Sequence, residues 1–173
     1  FLAAIGLEPQ IPFVCFIARD SSYLNQMESS LDWSYHDYRD SNILNYLDMA
    51  EELVNRGYTA FRMGAAVKQA IPSENQHVVD YAIKHRSDFL DVYLFAKCHF
   101  MIVSNSGPCD LGWTLRKNIA FVNVAPLLGA AHVRRGNDLM IPKKYWLTKE
   151  KRFMTFREIM ESGVGSLGLA QHF

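Results

Sequence analysis

The chain has 173 residues and a formal net charge of zero, with 49% hydrophobic and 21% charged residues, which is typical of one globular domain. Without net basicity the composition favours no nucleic-acid partner, and no apolar run reaches the roughly 18 residues that a membrane span needs. Three cysteines without close spacing predict free thiols in a reducing compartment, and six scattered histidines predict no metal site.

The first half of the chain alternates strand-like and helix-like segments. The apolar run at residues 11–17 predicts a strand buried on both faces of a sheet. The polar and aromatic stretch 18–41 that follows is long for a connection and is typical of a functional loop. Apolar residues recur at helical spacing over 42–56, which predicts a helix. Residues 58–62 and 77–83 predict a second and a third strand.

The second half continues the same alternation. Residues 87–97 predict a helix with apolar side chains almost all round, which we expect to be well buried. Residues 100–103 predict another buried strand, and the turn that follows it predicts a helix through about residue 116. Residues 119–124 predict a further strand, and 156–161 a short helix.

This alternation predicts the α/β class: a Rossmann-like, doubly wound and mainly parallel sheet with helices on both faces, in one domain over residues 1–173. Ligands of such sheets bind at the carboxyl ends of the strands. Three predicted strands end in polar or glycine residues there: Arg19 and Asp20; Arg62 and Gly64; Ser104, Asn105, Ser106 and Gly107.

The turn at 104–108 is the most informative of these strand ends. A strand that runs into Ser-Asn-Ser-Gly-Pro and then a helix leaves free backbone N–H groups that suit a phosphate. Arg19 and Arg62 each carry a guanidinium that can grip a diphosphate through two hydrogen bonds. The alternatives stay open here: a plain helix cap at the turn, and arginines paired with nearby carboxylates. The turn matches neither the P-loop nor the dinucleotide-binding glycine pattern.

The Tyr35–Asp40 stretch of the long loop is chemically dense. His36 or Asp37 is a candidate general base for a sugar hydroxyl. Tyr35 or Tyr38 is a candidate for stacking on a base or a sugar ring. The alternative is a surface loop whose aromatic side chains pack on the domain.

These segments resemble a family of bacterial glycosyltransferase-like proteins without an assigned substrate, and the resemblance covers most of residues 11–165. The stretches that carry it are DWSYHDYRDS (32–41), YTAFRMG (58–64), RSDFLDVYLFAKC (86–98) and SNSG (104–107). The resemblance implies the carboxyl-terminal half of a GT-B glycosyltransferase, which holds the nucleotide-sugar donor without a bound metal or other cofactor.

The resemblance also implies roles for particular residues. In similar enzymes a strand-end arginine and a Ser/Gly turn contact the diphosphate, which here implies Arg19, Ser106 and Gly107. Those enzymes often have a histidine two residues before that arginine. This chain has Ile17 there, so no histidine role transfers.

The expected function is transfer of a sugar from a nucleotide diphosphate sugar to a glycan or lipid-linked acceptor in polysaccharide biosynthesis. A separate N-terminal domain would bind the acceptor, and a chain that opens on Phe1 is interpreted as part of that longer protein. We expect a cytoplasmic location, at most peripheral to the inner face of the membrane. A sugar-nucleotide epimerase and a non-catalytic nucleotide- or carbohydrate-binding module are the alternatives.

Overall fold

The computed structural model describes residues 1–127 and 135–166, and its centre is a six-stranded sheet in which all neighbouring strands are parallel. The strands are β1 (Phe13–Ile17), β2 (Thr59–Arg62), β3 (Val78–Val79), β4 (Phe100–Val103), β5 (Asn118–Val124) and β6 (Leu139–Pro142). Their order in space is β3-β2-β1-β4-β5-β6. This is the doubly wound order, whose direction of winding reverses between β1 and β4. The predicted Rossmann-like α/β class is confirmed.

Helices connect the strands and cover parts of both faces of the sheet. They are α1 (Ser22–Met27), α2 (Leu47–Asn55), α3 (Tyr81–Lys84), α4 (Asp88–Lys97), α5 (Pro108–Thr114) and α6 (Phe156–Ser162). Short 3-10 segments occur at Ala3–Ile5, Ser34–Arg39 and Ile43–Tyr46, and β7 (Trp146–Leu147) pairs antiparallel with β8 (Arg152–Phe153).

The core consists of two apolar layers on opposite faces of the sheet. Cys15 of β1 packs in one layer with Leu94 of α4, and Phe16 of β1 packs in the other with Ala50 of α2. Because successive strand residues point to opposite faces, both sets of β1 side chains are buried and its sequence is continuously apolar. Burial of one large apolar side chain contributes about 1.5–3 kcal/mol to folding.

Helix α5 packs closely against the sheet, and this packing determines the position of its first turn. A Cβ atom at Gly112 would stand 2.8 Å from both the Met101 sulfur and the Ile119 Cδ1 atom. A larger residue there would therefore push the helix away from the sheet. Glycine at this position keeps the first turn of α5 beside the end of β4.

Three short elements differ from the sequence prediction. Of the predicted strand 77–83 only Val78–Val79 pairs in the sheet, and Tyr81–Lys84 turns into α3. Helix α1 lies inside the predicted loop 18–41, and the Ser21 side chain does not cap its start. Strand β6 is also absent from the sequence prediction. It has only four residues, ends in a proline and lies at the edge of the sheet, where it pairs with β5 alone.

Helix α4 is only half buried, so the prediction that it is well buried is wrong. Leu94 and Phe95 are buried in the core, but Phe89 is 74% exposed and Val92 50% exposed. One face of α4 packs on the sheet, and nothing in the described chain covers the opposite face, although it carries Phe89, Val92 and Tyr93.

No helix in the described part of the chain combines the length and the apolar character that crossing a bilayer requires. Cys15, Cys98 and Cys109 are buried free thiols.

Candidate functional site

A cavity of about 460 Å³ opens at the carboxyl edge of the sheet, at the switch point between β1 and β4. Five chain segments contribute its walls. They are residues 17–20 after β1, Tyr23 and Leu24 of α1, Arg39, residues 64–67 after β2, and Ser106–Pro108 at the start of α5. The strand order places these segments together, because β1 is the neighbour of both β2 and β4.

Arg19 forms part of the cavity wall and is held in place at both its backbone and its side chain. Its backbone N–H donates to Ser104 Oγ over 2.9 Å, which ties the end of β1 to the end of β4. Its guanidinium forms an ion pair with Asp40 and donates to the His36 carbonyl oxygen over 3.2 Å. The cavity therefore has one cation whose orientation is fixed by the segment from His36 to Asp40.

Arg39 also lines the cavity, and it is the charged site residue that the sequence prediction missed. No carboxylate of the described chain forms an ion pair with it, and its Nε atom is buried without a hydrogen-bond partner. Its guanidinium stands 5.9 Å from the centre of the Tyr38 ring. Burial, and then the nearby Arg19 charge, lower the pKa of Arg39. Arg39 is thus a half-buried cation without an ion-pair partner in the described chain, and its Nε atom has donor capacity left over.

Only part of the predicted Ser104–Gly107 turn reaches the cavity. Ser106 and Gly107 line it. Ser104 is buried and accepts the Arg19 N–H, while the Asn105 side-chain amide donates to the Ala125 carbonyl oxygen over 3.3 Å. Ser104 and Asn105 therefore hold the strand ends together, and Ser106 and Gly107 face the open space.

Gly64 lines the cavity as predicted from its place after β2. Its φ of +153° is one that residues with a side chain rarely adopt, and a Cβ atom would lie 2.6 Å from Val67 Cγ1. Glycine therefore allows the chain after β2 to fold back and form the cavity wall.

Arg62 does not reach this cavity. Its side chain is fully buried, with Nη1 2.9 Å from Asp80 Oδ1 and Nη2 donating to the Gln69 carbonyl oxygen over 3.1 Å. Asp80 also accepts the Ile71 N–H. The structure thus places Arg62 in an internal ion pair, which was the alternative interpretation of its sequence position. A role for Arg62 in gripping a diphosphate has no support in this geometry.

His36 and Asp37, the predicted general bases, are not among the residues that line the cavity. The His36 ring stacks on Trp33 at 6.1 Å between ring centres and lies 3.9 Å from the Tyr35 ring centre, and its Nδ1 is buried without a partner. Burial and the Arg39 and Arg19 charges lower the pKa of His36, so its ring is neutral at pH 7. Asp37 is exposed. A catalytic role for either residue stays a prediction.

The carboxylates near the cavity are already used by protein groups. Asp20 accepts the N–H groups of Ser22 and Lys68 at 2.8 and 3.0 Å. Asp40 pairs with Arg19 and lies 3.6 Å from Lys68 Nζ. Burial raises the pKa of Asp40, and the Arg19 and Lys68 charges oppose that rise. Within residues 1–127 and 135–166, no group of three or more His, Cys, Asp or Glu residues could hold a metal ion.

The arrangement is suited to an oxyanion ligand, because Arg19, Arg39 and the Ser106–Gly107 turn border one cavity while the adjacent carboxylates are bound internally. Comparisons of the chain with protein-family models, with curated proteins and with solved structures find no match.

Proposed function

We propose that this domain binds the diphosphate of a nucleotide sugar in the switch-point cavity and serves as the donor domain of a glycosyltransferase. The enzyme would transfer the sugar to a glycan or lipid-linked acceptor. One observation carries the proposal: Arg19 and Arg39 border the same cavity, and Arg39 has no carboxylate partner in the described chain.

The size and lining of the cavity support a ligand of this class. Its volume of about 460 Å³ lies within the range of roughly 300–1,000 Å³ that is usual for small-molecule sites. Tyr23, Leu24 and Pro108 give it an apolar side, against which a nucleoside could pack. The arginines supply charge-assisted donors for phosphate oxygens.

The chemistry of transfer gives the arginines a role beyond binding. Negative charge builds up on the diphosphate as the bond to the sugar breaks, and fixed cations stabilise that charge. Arg39 is poised for this because burial has already removed part of its water. His36, neutral at pH 7, and Asp37 remain candidates for the base that accepts the acceptor proton.

Titration calorimetry with UDP, GDP, ADP and the matching monophosphates tests the binding step. We expect at least one diphosphate to bind more tightly than its monophosphate. Arg39→Gln should lower that affinity roughly 10- to 100-fold, the value of a charge-assisted hydrogen bond.

Arg56→Gln is the matched control, since Arg56 is exposed, pairs with Glu52 and follows the carboxyl end of α2. It should leave the affinity unchanged. Absence of binding by every diphosphate, or equal affinities for the two variants, would overturn the proposal.

Product analysis on the full-length protein, which would include the acceptor domain, tests the transfer step. With a nucleotide sugar and a glycan acceptor, transfer releases the nucleoside diphosphate only when the acceptor is present. A stereochemically altered nucleotide sugar formed without acceptor would instead identify an epimerase.

A further inference from the structure

The neighbouring lysines Lys143 and Lys144 have different environments. Lys144 is exposed, and its ammonium lies 5.3 Å from the centre of the Phe153 ring. Lys143 is half-buried, and its ammonium donates to the carbonyl oxygens of Tyr38 and Asp40 over 2.8 and 2.5 Å.

Lys143 is fixed to the sheet by its own backbone. It directly follows β6, and its N–H donates to the Val124 carbonyl oxygen over 2.9 Å. The two bonds of its ammonium therefore join the edge of the sheet to a segment more than one hundred residues earlier in the chain. Such contacts hold the distant segment at a defined distance from the core.

The segment that Lys143 binds has little else to hold it. The 3-10 segment Ser34–Arg39 contains no buried residue, and the last carbonyl groups of such a segment lack partners within it. Its other described ties to the end of β1 run through Arg19, which donates to the His36 carbonyl oxygen and accepts the Ser41 N–H. Lys143 supplies the missing donors on the opposite side.

Arg39 lies between the two carbonyl groups that Lys143 binds. The Tyr38 carbonyl group belongs to the peptide unit that directly precedes Arg39, and the Asp40 carbonyl group belongs to the unit one residue beyond it. Fixing both limits the path of the backbone through Arg39 and so the origin of its side chain. Lys143 itself is not among the residues of the switch-point cavity; it lines a second one with Tyr38 and Tyr145. Lys143 therefore acts on a ligand beside Arg39 from a distance, either through the backbone or through its charge.

We propose that Lys143 is a positioning residue, whose ammonium sets the backbone on both sides of Arg39 and so presents the Arg39 guanidinium to the anion site. The ligand-affinity part of this proposal rests on the proposed function. The conformational part does not.

Lys143→Met keeps the length of the side chain and removes the donors, and Lys144→Met is the matched control. We expect Lys143→Met to weaken binding of the best nucleoside diphosphate about tenfold, and Lys144→Met to leave it unchanged. Lys143→Arg, which can still donate to both carbonyl groups, should restore most of the affinity. If all three variants bind like the original chain, Lys143 does not position Arg39.

A double-mutant cycle separates positioning from a general charge effect. In an Arg39→Gln background, Lys143→Met should cost no further affinity, because the group that it positions is gone. Equal losses in the two backgrounds would show that Lys143 acts independently of Arg39 and would overturn the proposal.

Hydrogen exchange gives a readout that needs no ligand. The amides of His36, Asp40 and Ser41 are hydrogen-bonded. In Lys143→Met the Asp40 and Ser41 amides should exchange at least several-fold faster, while amides of β1 and β4 stay protected. If no diphosphate binds but these amides respond, the function proposed for the cavity fails and the role of Lys143 in the loop stands. Unchanged exchange at Asp40 and Ser41 would refute that role.

Discussion

The sheet and the 34–40 loop (Ser34–Asp40) are stabilised by different physics. In the sheet, β1 is buried along its whole length between two apolar layers. The 34–40 loop buries no residue in its 3-10 segment and is held by the side chains of Arg19, Lys68 and Lys143. Apolar burial fixes the frame, and a few hydrogen bonds and charges fix the segment that carries Arg39.

The difference teaches where rigidity comes from at this site. Apolar contacts are not directional, so an apolar layer alone cannot orient a guanidinium toward a ligand. Hydrogen bonds to carbonyl oxygens are directional, and they leave the loop near water, where a ligand can enter. We expect the two regions to respond differently to the same chemical change.

The same substitution in each region should have its largest effect within the sheet. Asp80→Asn removes the charge partner of the fully buried Arg62, and breaking such a pair costs about 3–5 kcal/mol of unfolding free energy. Asp40→Asn removes the charge partner of Arg19, but the Arg19 guanidinium keeps its hydrogen bond to the His36 carbonyl oxygen and Asp40 is itself 18% exposed, so the substitution should cost less, about 1–3 kcal/mol.

Urea denaturation of both variants measures this contrast. Equal losses of stability would show that the two arginine pairs are equally dependent on burial, and the comparison would fail. An Arg62→Met, Asp80→Leu double variant serves as control and should regain much of the loss, because it leaves no unpaired charge.

Within helix α4 the response should follow burial rather than residue type. Leu94→Ala empties a fully buried site and should cost about 2–5 kcal/mol of unfolding free energy. Phe89→Ala removes a larger side chain from a mostly exposed site and should change stability by less than about 0.5 kcal/mol. Thermal or urea unfolding of the two variants measures this difference in unfolding free energy. A loss for Phe89→Ala close to that for Leu94→Ala would mean that a partner covers this face of α4 in solution.

The smallest effect should appear in the 34–40 loop as the pH falls. The pKa of His36 is held below its ordinary value of 6.5 by burial and by the Arg39 and Arg19 charges. The unfolded loop takes up a proton near 6.5 and the folded loop resists it, so the folded loop loses stability as pH drops below about 6.5.

Titration of the His36 ring by NMR, together with amide exchange at Ser41 between pH 7 and 5, measures this loss. His36→Gln is the control and should make Ser41 exchange independent of this titration. A His36 ring that titrates at or above 6.5 would contradict the expected sign.

The sheet could be predicted from the sequence, because β1 and β4 are unbroken apolar runs and β2 and β5 have apolar residues at their centres. The anion site could be predicted only in part. Arg19, Ser106 and Gly107 directly follow strands, so the topology alone brings them together. Arg39 lies in the 34–40 loop, whose place depends on Lys143, and no local pattern encodes a bond across that separation.

The environments of Arg62 and Phe89 could not be predicted from the sequence for a different reason. Arg62 ends a strand, and Arg19 follows one. Whether Arg62 faces the cavity or an internal partner depends on Asp80, which follows β3 and forms a buried ion pair with it. The apolar residues of α4 encircle the helix, and their pattern does not tell which face meets the sheet. In both cases the missing information is the position of a second element, which the residues themselves do not specify.

The central position of β1 also constrains the order in which the domain can assemble. β1 is synthesised before all its neighbours, yet Cys15 lies opposite Phe61 on one side and Met101 on the other. A nascent chain must therefore expose an unpaired apolar strand until β4 has emerged, and strands with open edges favour association with other chains. The protein is most vulnerable to aggregation while it is being made, in the interval before its second half is available.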